Sequence, residues 1–211
     1  MTYVFVAGAP GSKWSSVASS LSDSARINTS DQKHSYTKPG ESEPMHTGAY
    51  WDPGCEYGHR FDKLTQFSRT QLEQEFDRAF EFHKPNLTKI IKSHQFCKYL
   101  EFIHDTWPNN SIVTVYRTDE QCMDWWLKAG GFDITYPSYE WYRYKMRQEI
   151  RDQNTGILEF RDNYDTIQVY NTTELAELLD VGINITPREF DADVRVYKPR
   201  SGPAPETPRS G

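Results

Sequence analysis

Three short polar clusters in this 211-residue chain carry the residue types from which anion chemistry is built. The first, near the start, is Gly8-Ala9-Pro10-Gly11-Ser12-Lys13-Trp14-Ser15-Ser16. Gly8, Pro10 and Gly11 force a tight turn, the serines favour the start of a helix, and Lys13 adds a mobile positive charge. A strand, a glycine turn and a helix N-terminus converge free backbone N–H groups on one point, which suits phosphate or sulfate. A glycine-rich turn without the lysine and serines reads as an ordinary βα connection. The second cluster is Lys92-Ser93-His94, and an imidazole that titrates near neutrality can take a proton from a hydroxyl. The third is Arg117-Thr118-Asp119, whose guanidinium suits an anion. Taken one at a time, His94 also reads as a structural histidine and Arg117 as the partner of a surface acid.

The elements that must position these clusters follow from periodicity. Tyr3-Val4-Phe5-Val6 reads as a buried strand, and so do residues 87–94 and 111–116. Residues 67–82 carry Phe67, Leu72, Phe76, Ala79 and Phe80 at helical spacing, which predicts the strongest helix and a core-facing stripe. Further helices are predicted over 96–107 and from Asp119, as the cap, through Trp126. Residues 136–151, rich in rings and charge, predict another helix along the acceptor pocket; 166–170 reads as a fourth strand followed by a short helix from Thr172. Strands alternating with helices imply parallel βαβ units with ligands at the carboxyl ends of the strands. All three polar clusters sit at such ends. The expectation is an α/β fold of three layers, with a central, mainly parallel sheet of about four strands flanked by helices.

The standard phosphate loop is G-x-x-x-x-G-K-[ST]. Starting that pattern at Gly8 puts Lys13 where the second glycine belongs and Trp14 where the lysine belongs. A different template fits better. The loop resembles the 5′-phosphosulfate loop of the P-loop sulfotransferase family, of the type Pro-Lys-Ser-Gly-Thr-Thr. Pro10, Ser12 and Ser15 fall on its proline, serine and second threonine, and Gly11 on its lysine. Lys92-Ser93-His94 is similar to the Lys-Thr-His of cytosolic sulfotransferases, whose histidine is the general base. Tyr116-Arg117 resembles the strand-end arginine that holds the donor's 3′-phosphate. The family's serine eight residues further on corresponds to Trp125, preceded by Asp124.

This resemblance covers roughly residues 3–126 and implies a divergent, short sulfotransferase. Its co-substrate would be 3′-phosphoadenosine-5′-phosphosulfate, and its acceptor a small molecule with a hydroxyl or amine group. His94 is then the general base, with Lys13 and Lys92 as further catalytic cations. The donor is held by Pro10, Gly11, Ser12, Lys13, Trp14, Ser15, Ser16 and Arg117. The departing 5′-phosphate gains charge, which the loop N–H groups and Lys13 stabilise, and positioning supplies much of the rest. No metal is expected. Two other readings stand beside this one. A nucleotide kinase or NTPase needs a Mg²⁺-holding carboxylate at a strand end, where this chain has Lys-Ser-His and Tyr-Arg. The other is an inactive descendant that binds an anion or a protein.

Composition bounds the partners. A net charge of −6 argues against sequence-independent nucleic-acid binding, which needs a broad basic footprint. With no long apolar run and no secretory signal, a cytoplasmic location without membrane contact is expected. The scattered cysteines Cys55, Cys97 and Cys122 are expected as free thiols. His34, His46, Cys55 and His59 lack the paired spacing of a zinc site. One domain over 1–197 is expected, with 22–64 as a long loop over the site and 198–211 as a disordered tail. The rings around Trp51 and in 139–144 suggest a ring, sugar or lipid-like acceptor.

Overall fold

The computed structural model describes residues 2–30, the backbone of 49–50, and residues 64–80, 86–128, 145–182 and 186–199. The expectations placed on 31–48, 51–63, 129–144 and 200–211 lie outside the described residues. These include the loop over the site, the acceptor-side rings and most of the tail.

The chain builds an α/β fold around a mixed sheet. Its centre is β1 (Tyr3–Gly8), flanked on both sides by parallel neighbours, β3 (Lys89–Lys92) and β4 (Ser111–Tyr116). The two-residue β2 (Ala49–Tyr50) runs parallel to β3 at one edge. Beyond β4 the sheet turns antiparallel, first with β6 (Glu189–Tyr197) and then with β5 (Ile167–Asn171), giving the order β2-β3-β1-β4-β6-β5. All six residues of β1 are buried, as an internal parallel strand covered on both faces requires. Its alternation divides the core. Val4 and Val6 pack with α1 (Trp14–Ser19) and α6 (Thr172–Leu178). Tyr3, Phe5 and Ala7 pack with α2 (Arg69–Asp77), α3 (Leu100–Thr106) and α5 (Met146–Asn163). Phe5 sits in a ring cluster, 5.0 Å from Trp107 and 5.8 Å from Phe76 between centroids.

Several predicted elements are corrected. Among the described residues the sheet has five full strands and the short β2, where about four were expected, and it is mixed. The expectation missed β6, whose Phe190-Asp191-Ala192-Asp193-Val194-Arg195-Val196 alternates as a half-buried strand does. The helix expected over 67–82 is shorter: Ser68 and Gln71 form a capping box that starts it at Arg69, and it ends at Asp77. Leu72, Phe76, Ala79 and Phe80 are buried, as the stripe requires. The helix expected over 96–107 is two pieces, a 3-10 turn (His94–Lys98) and α3, separated at Tyr99. The Ser93 hydroxyl accepts from Gln95 N at 3.0 Å and starts the turn early. The cap of α4 (Asp119–Lys128) is Thr118 rather than Asp119, because the Thr118 hydroxyl accepts from Gln121 N at 3.3 Å. Among the described residues the longest helix is α5, which begins at Met146 and runs well past 151. A Cβ at Gly156 would lie 2.2 Å from the Cys97 carbonyl oxygen, so this mid-helix glycine lets α5 press against the 3-10 turn.

Candidate functional site

The glycine turn after β1 has little latitude. A Cβ at Gly8 would lie 2.5 Å from the Trp14 Cβ and 2.6 Å from the Ser12 hydroxyl oxygen. At Gly11 the backbone adopts φ 82°, and a Cβ there would lie 1.9 Å from the Cys122 carbonyl oxygen. Ser12 N donates to the Ala9 carbonyl at 2.9 Å and closes the turn. Lys13 then takes φ 68°, the left-handed region that favours glycine, and caps α1 without a side-chain bond. The helix begins at Trp14, so Ser15 and Ser16 stand inside its first turn and not at its cap. Pro10, Ser12 and Trp14 are buried, Ser15 is half-buried and Ser16 exposed. With six residues, α1 brings only a short dipole, so the positive character of this turn rests on Lys13.

On the β4 side, Lys13 and Arg117 meet through Asp191 of β6. Asp191 accepts from Lys13 Nζ and, at 3.4 Å, from Arg117 Nη2. The hydrogen bond from Lys13 and the charge of Arg117 hold this exposed carboxyl below its usual range. Lys13 Nζ also lies 4.3 Å from the centroid of Trp125, a cation–π contact. Next to this ion triad a cleft of about 340 Å³ opens between Tyr116, Arg117, Thr118, Gln121, Phe190 and Asp191. Two buried polar groups at the turn and the cleft, Ser12 Oγ and Arg117 Nη1, make no hydrogen bond among the described residues. Buried donors of this kind are costly without a partner.

On the β3 side, Ser93 N donates to the Val6 carbonyl at 3.1 Å, so the Lys92-Ser93-His94 segment stays tied to β1. Lys92 is fully buried and His94 is 5% exposed. The His94 ring lies 6.5 Å from that of Trp14, which places it beside the glycine turn. Its Nδ1 is 2.8 Å from Gln153 Nε2, and the same nitrogen donates to Glu149 Oε1 at 2.8 Å. Glu149 also accepts from Lys98 Nζ at 2.5 Å. Burial alone would raise the Glu149 carboxyl; the hydrogen bond and charge of Lys98, with the bond from Gln153, outweigh it and hold it below the usual range. One residue on, Asn154 Nδ2 donates to the Arg117 carbonyl at 2.9 Å and to Asp119 Oδ1 at 2.7 Å. Thus α5 grips the ends of both β3 and β4.

The three sequence clusters therefore stand at the carboxyl ends of three adjacent parallel strands. Lys13 and Arg117 are joined through Asp191, and His94 is joined to the turn through Trp14. Sequence reasoning missed Asp191, Glu149, Gln153 and Asn154. The alternation around Asp191 was a usable strand signal; the three α5 residues left none. Cys97 and Cys122 are buried free thiols, and burial pushes Cys122 up to about 12, so neither suits nucleophilic chemistry. Among the described residues no cluster of His, Cys, Asp and Glu has the arrangement of a metal site, and no helix is long and apolar enough to cross a membrane. Comparison of the chain with protein-family models, with curated proteins and with solved structures finds no match.

Proposed function

We propose that this chain binds 3′-phosphoadenosine-5′-phosphosulfate at the rim of its sheet and transfers the sulfuryl group to a hydroxyl-bearing small molecule. In that step the sulfur–oxygen bond to the 5′-phosphate breaks with its electron pair going to the phosphate. The acceptor oxygen bonds to sulfur and its proton passes to water. One observation carries this reading: the turn at 8–13, His94 and Arg117 sit on the ends of β1, β3 and β4, which are immediate neighbours. Arg117, which lines the cleft, supplies charge to the 3′-phosphate, and Lys13 supplies charge to the leaving group. The left-handed backbone at Lys13 supports it too, since this residue occupies the glycine position of the Pro-Lys-Ser-Gly-Thr-Thr template. The cleft between Arg117 and Phe190 offers room beside the anion for the rest of the donor. The fold intended by this reading is the three-layer P-loop type, here with an antiparallel extension.

Asp191 favours a second reading, in which the site binds an anion without turnover. A carboxylate already seated between Lys13 and Arg117 must be displaced before a phosphate enters. Thermal unfolding in the presence of adenosine 3′,5′-bisphosphate or of ATP with Mg²⁺ tests both. Stabilisation by the bisphosphate together with its release from the sulfuryl donor supports transfer, and stabilisation without release supports binding alone. Stabilisation by ATP with Mg²⁺ only contradicts both.

A further inference from the structure

His94 is the residue from which a general base is expected, and that role needs a bare ring nitrogen at the reacting group. Which nitrogen is bare depends on what the other one does. The partner of Nδ1 is an amide, Gln153, whose two ends differ in kind: the nitrogen donates and the oxygen accepts. The charge of Glu149 decides which end faces the ring. Gln153 Nε2 lies 2.8 Å from Glu149 Oε1 and 2.8 Å from His94 Nδ1, so its two protons serve two acceptors at once. Turning the amide over would set its oxygen 2.8 Å from a carboxylate that Lys98 keeps ionised. The chosen orientation even leaves Gln153 Oε1 buried without a partner among the described residues, a cost tolerated because the reverse places two acceptors face to face. Gln95 Nε2 reaches the same Glu149 oxygen at 3.4 Å, and Glu149 and Gln153 are 5% and 0% exposed, so little water competes.

We propose that Glu149 and Gln153 are positioning residues that make His94 Nδ1 an acceptor and so put the ring proton on Nε2. His94 then presents an N–H to the anion bound at the glycine turn. It stabilises charge on the transferring group and does not collect the acceptor's proton. The tautomer follows from the geometry alone; the role toward the anion rests on the donor-binding reading above.

Nitrogen NMR of the full-length chain with isotope-labelled histidine reads the ring directly, the His94 signals being assigned by their loss in His94→Gln. The expected result is an unprotonated Nδ1 and a proton on Nε2. A wild-type ring that carries its proton on Nδ1 overturns the proposal and restores the base. A paired exchange, Glu149→Gln with Gln153→Glu, keeps the charge count and sets a carboxylate against Nδ1. The ring proton should move to Nδ1, and affinity for adenosine 3′,5′-bisphosphate should fall about tenfold as a lone pair replaces the N–H donor. A moved proton with unchanged affinity overturns the role toward the anion. If the exchanged chain does not fold, Gln153→Leu serves in its place: the Nδ1 signal must shift as its hydrogen bond is lost, and an unmoved signal contradicts the contact. A wild-type chain with the expected tautomer but no affinity for the bisphosphate sinks the donor-binding reading and leaves the tautomer assignment standing.

Discussion

The two flanks of the glycine turn solve opposite problems. On the β4 and β6 side the groups are charged and meet at an open carboxylate: Lys13 and Arg117, with side chains 21% and 12% exposed, converge on an Asp191 that is 68% exposed. On the β3 and α5 side they are buried and locked into a chain, from Lys98 through Glu149 and Gln153 to His94. An exposed ion pair contributes little to stability and exchanges partners readily, which suits a place where a charged ligand must enter. A buried polar chain in a low-dielectric setting fixes orientation, and it is costly to leave half made. Affinity belongs to the first flank and orientation to the second.

The contrast breaks most completely where both flanks depend on one backbone. Gly11→Val places a β-branched side chain at φ 82° against the Cys122 carbonyl. Loss of bisphosphate binding is expected together with a destabilisation of about 2 kcal/mol or more in chemical denaturation. On the open flank alone, Arg117→Met should weaken the bisphosphate about ten- to hundredfold in a calorimetric titration, with little change in melting temperature. On the closed flank alone, Glu149→Gln should reverse that pattern and cost about 1–3 kcal/mol of stability at neutral pH. Because the Glu149 carboxyl sits below its usual range in the folded chain, this contribution is whole at neutral pH and fades as pH falls through the lowered value. Denaturation curves of wild type and variant should therefore converge in acid, and a gap that widens there contradicts the relay. The smallest effect is expected from Asp191→Asn, which removes the resident carboxylate. Bisphosphate affinity should rise several-fold, about as much as an exposed ion pair is worth, and the gain should shrink in high salt.

How far each flank was legible in the sequence follows the same division. The turn itself was readable because Gly8, Pro10, Gly11 and Lys13 are adjacent and their chemistry is local. β1 and β4 were readable because each is rich in apolar, β-branched residues, and their parallel pairing put Arg117 and the glycine turn on the same rim. The alternation around Asp191 was readable but its contact was not: it meets Lys13 across 178 positions, on a strand paired antiparallel with β4 and β5. Glu149 and Gln153 were hidden for another reason. At i and i+4 on a helix rich in charge they look like a solvated face, and only the close approach of α5 at Gly156 buries them. Propensity also ended that helix too early, because packing against the 3-10 turn carries it across a glycine that would weaken it in isolation.

The central claim is that three strand ends form one anion site with His94 at its edge. Titrating adenosine 3′,5′-bisphosphate into the histidine-labelled chain tests it most directly, in wild type and in Arg117→Met. A single saturable event is expected, which shifts the His94 ring signals and is strongly weakened in the variant. A ring at position 94 that stays unmoved at saturation, or equal affinity in the two proteins, would contradict it.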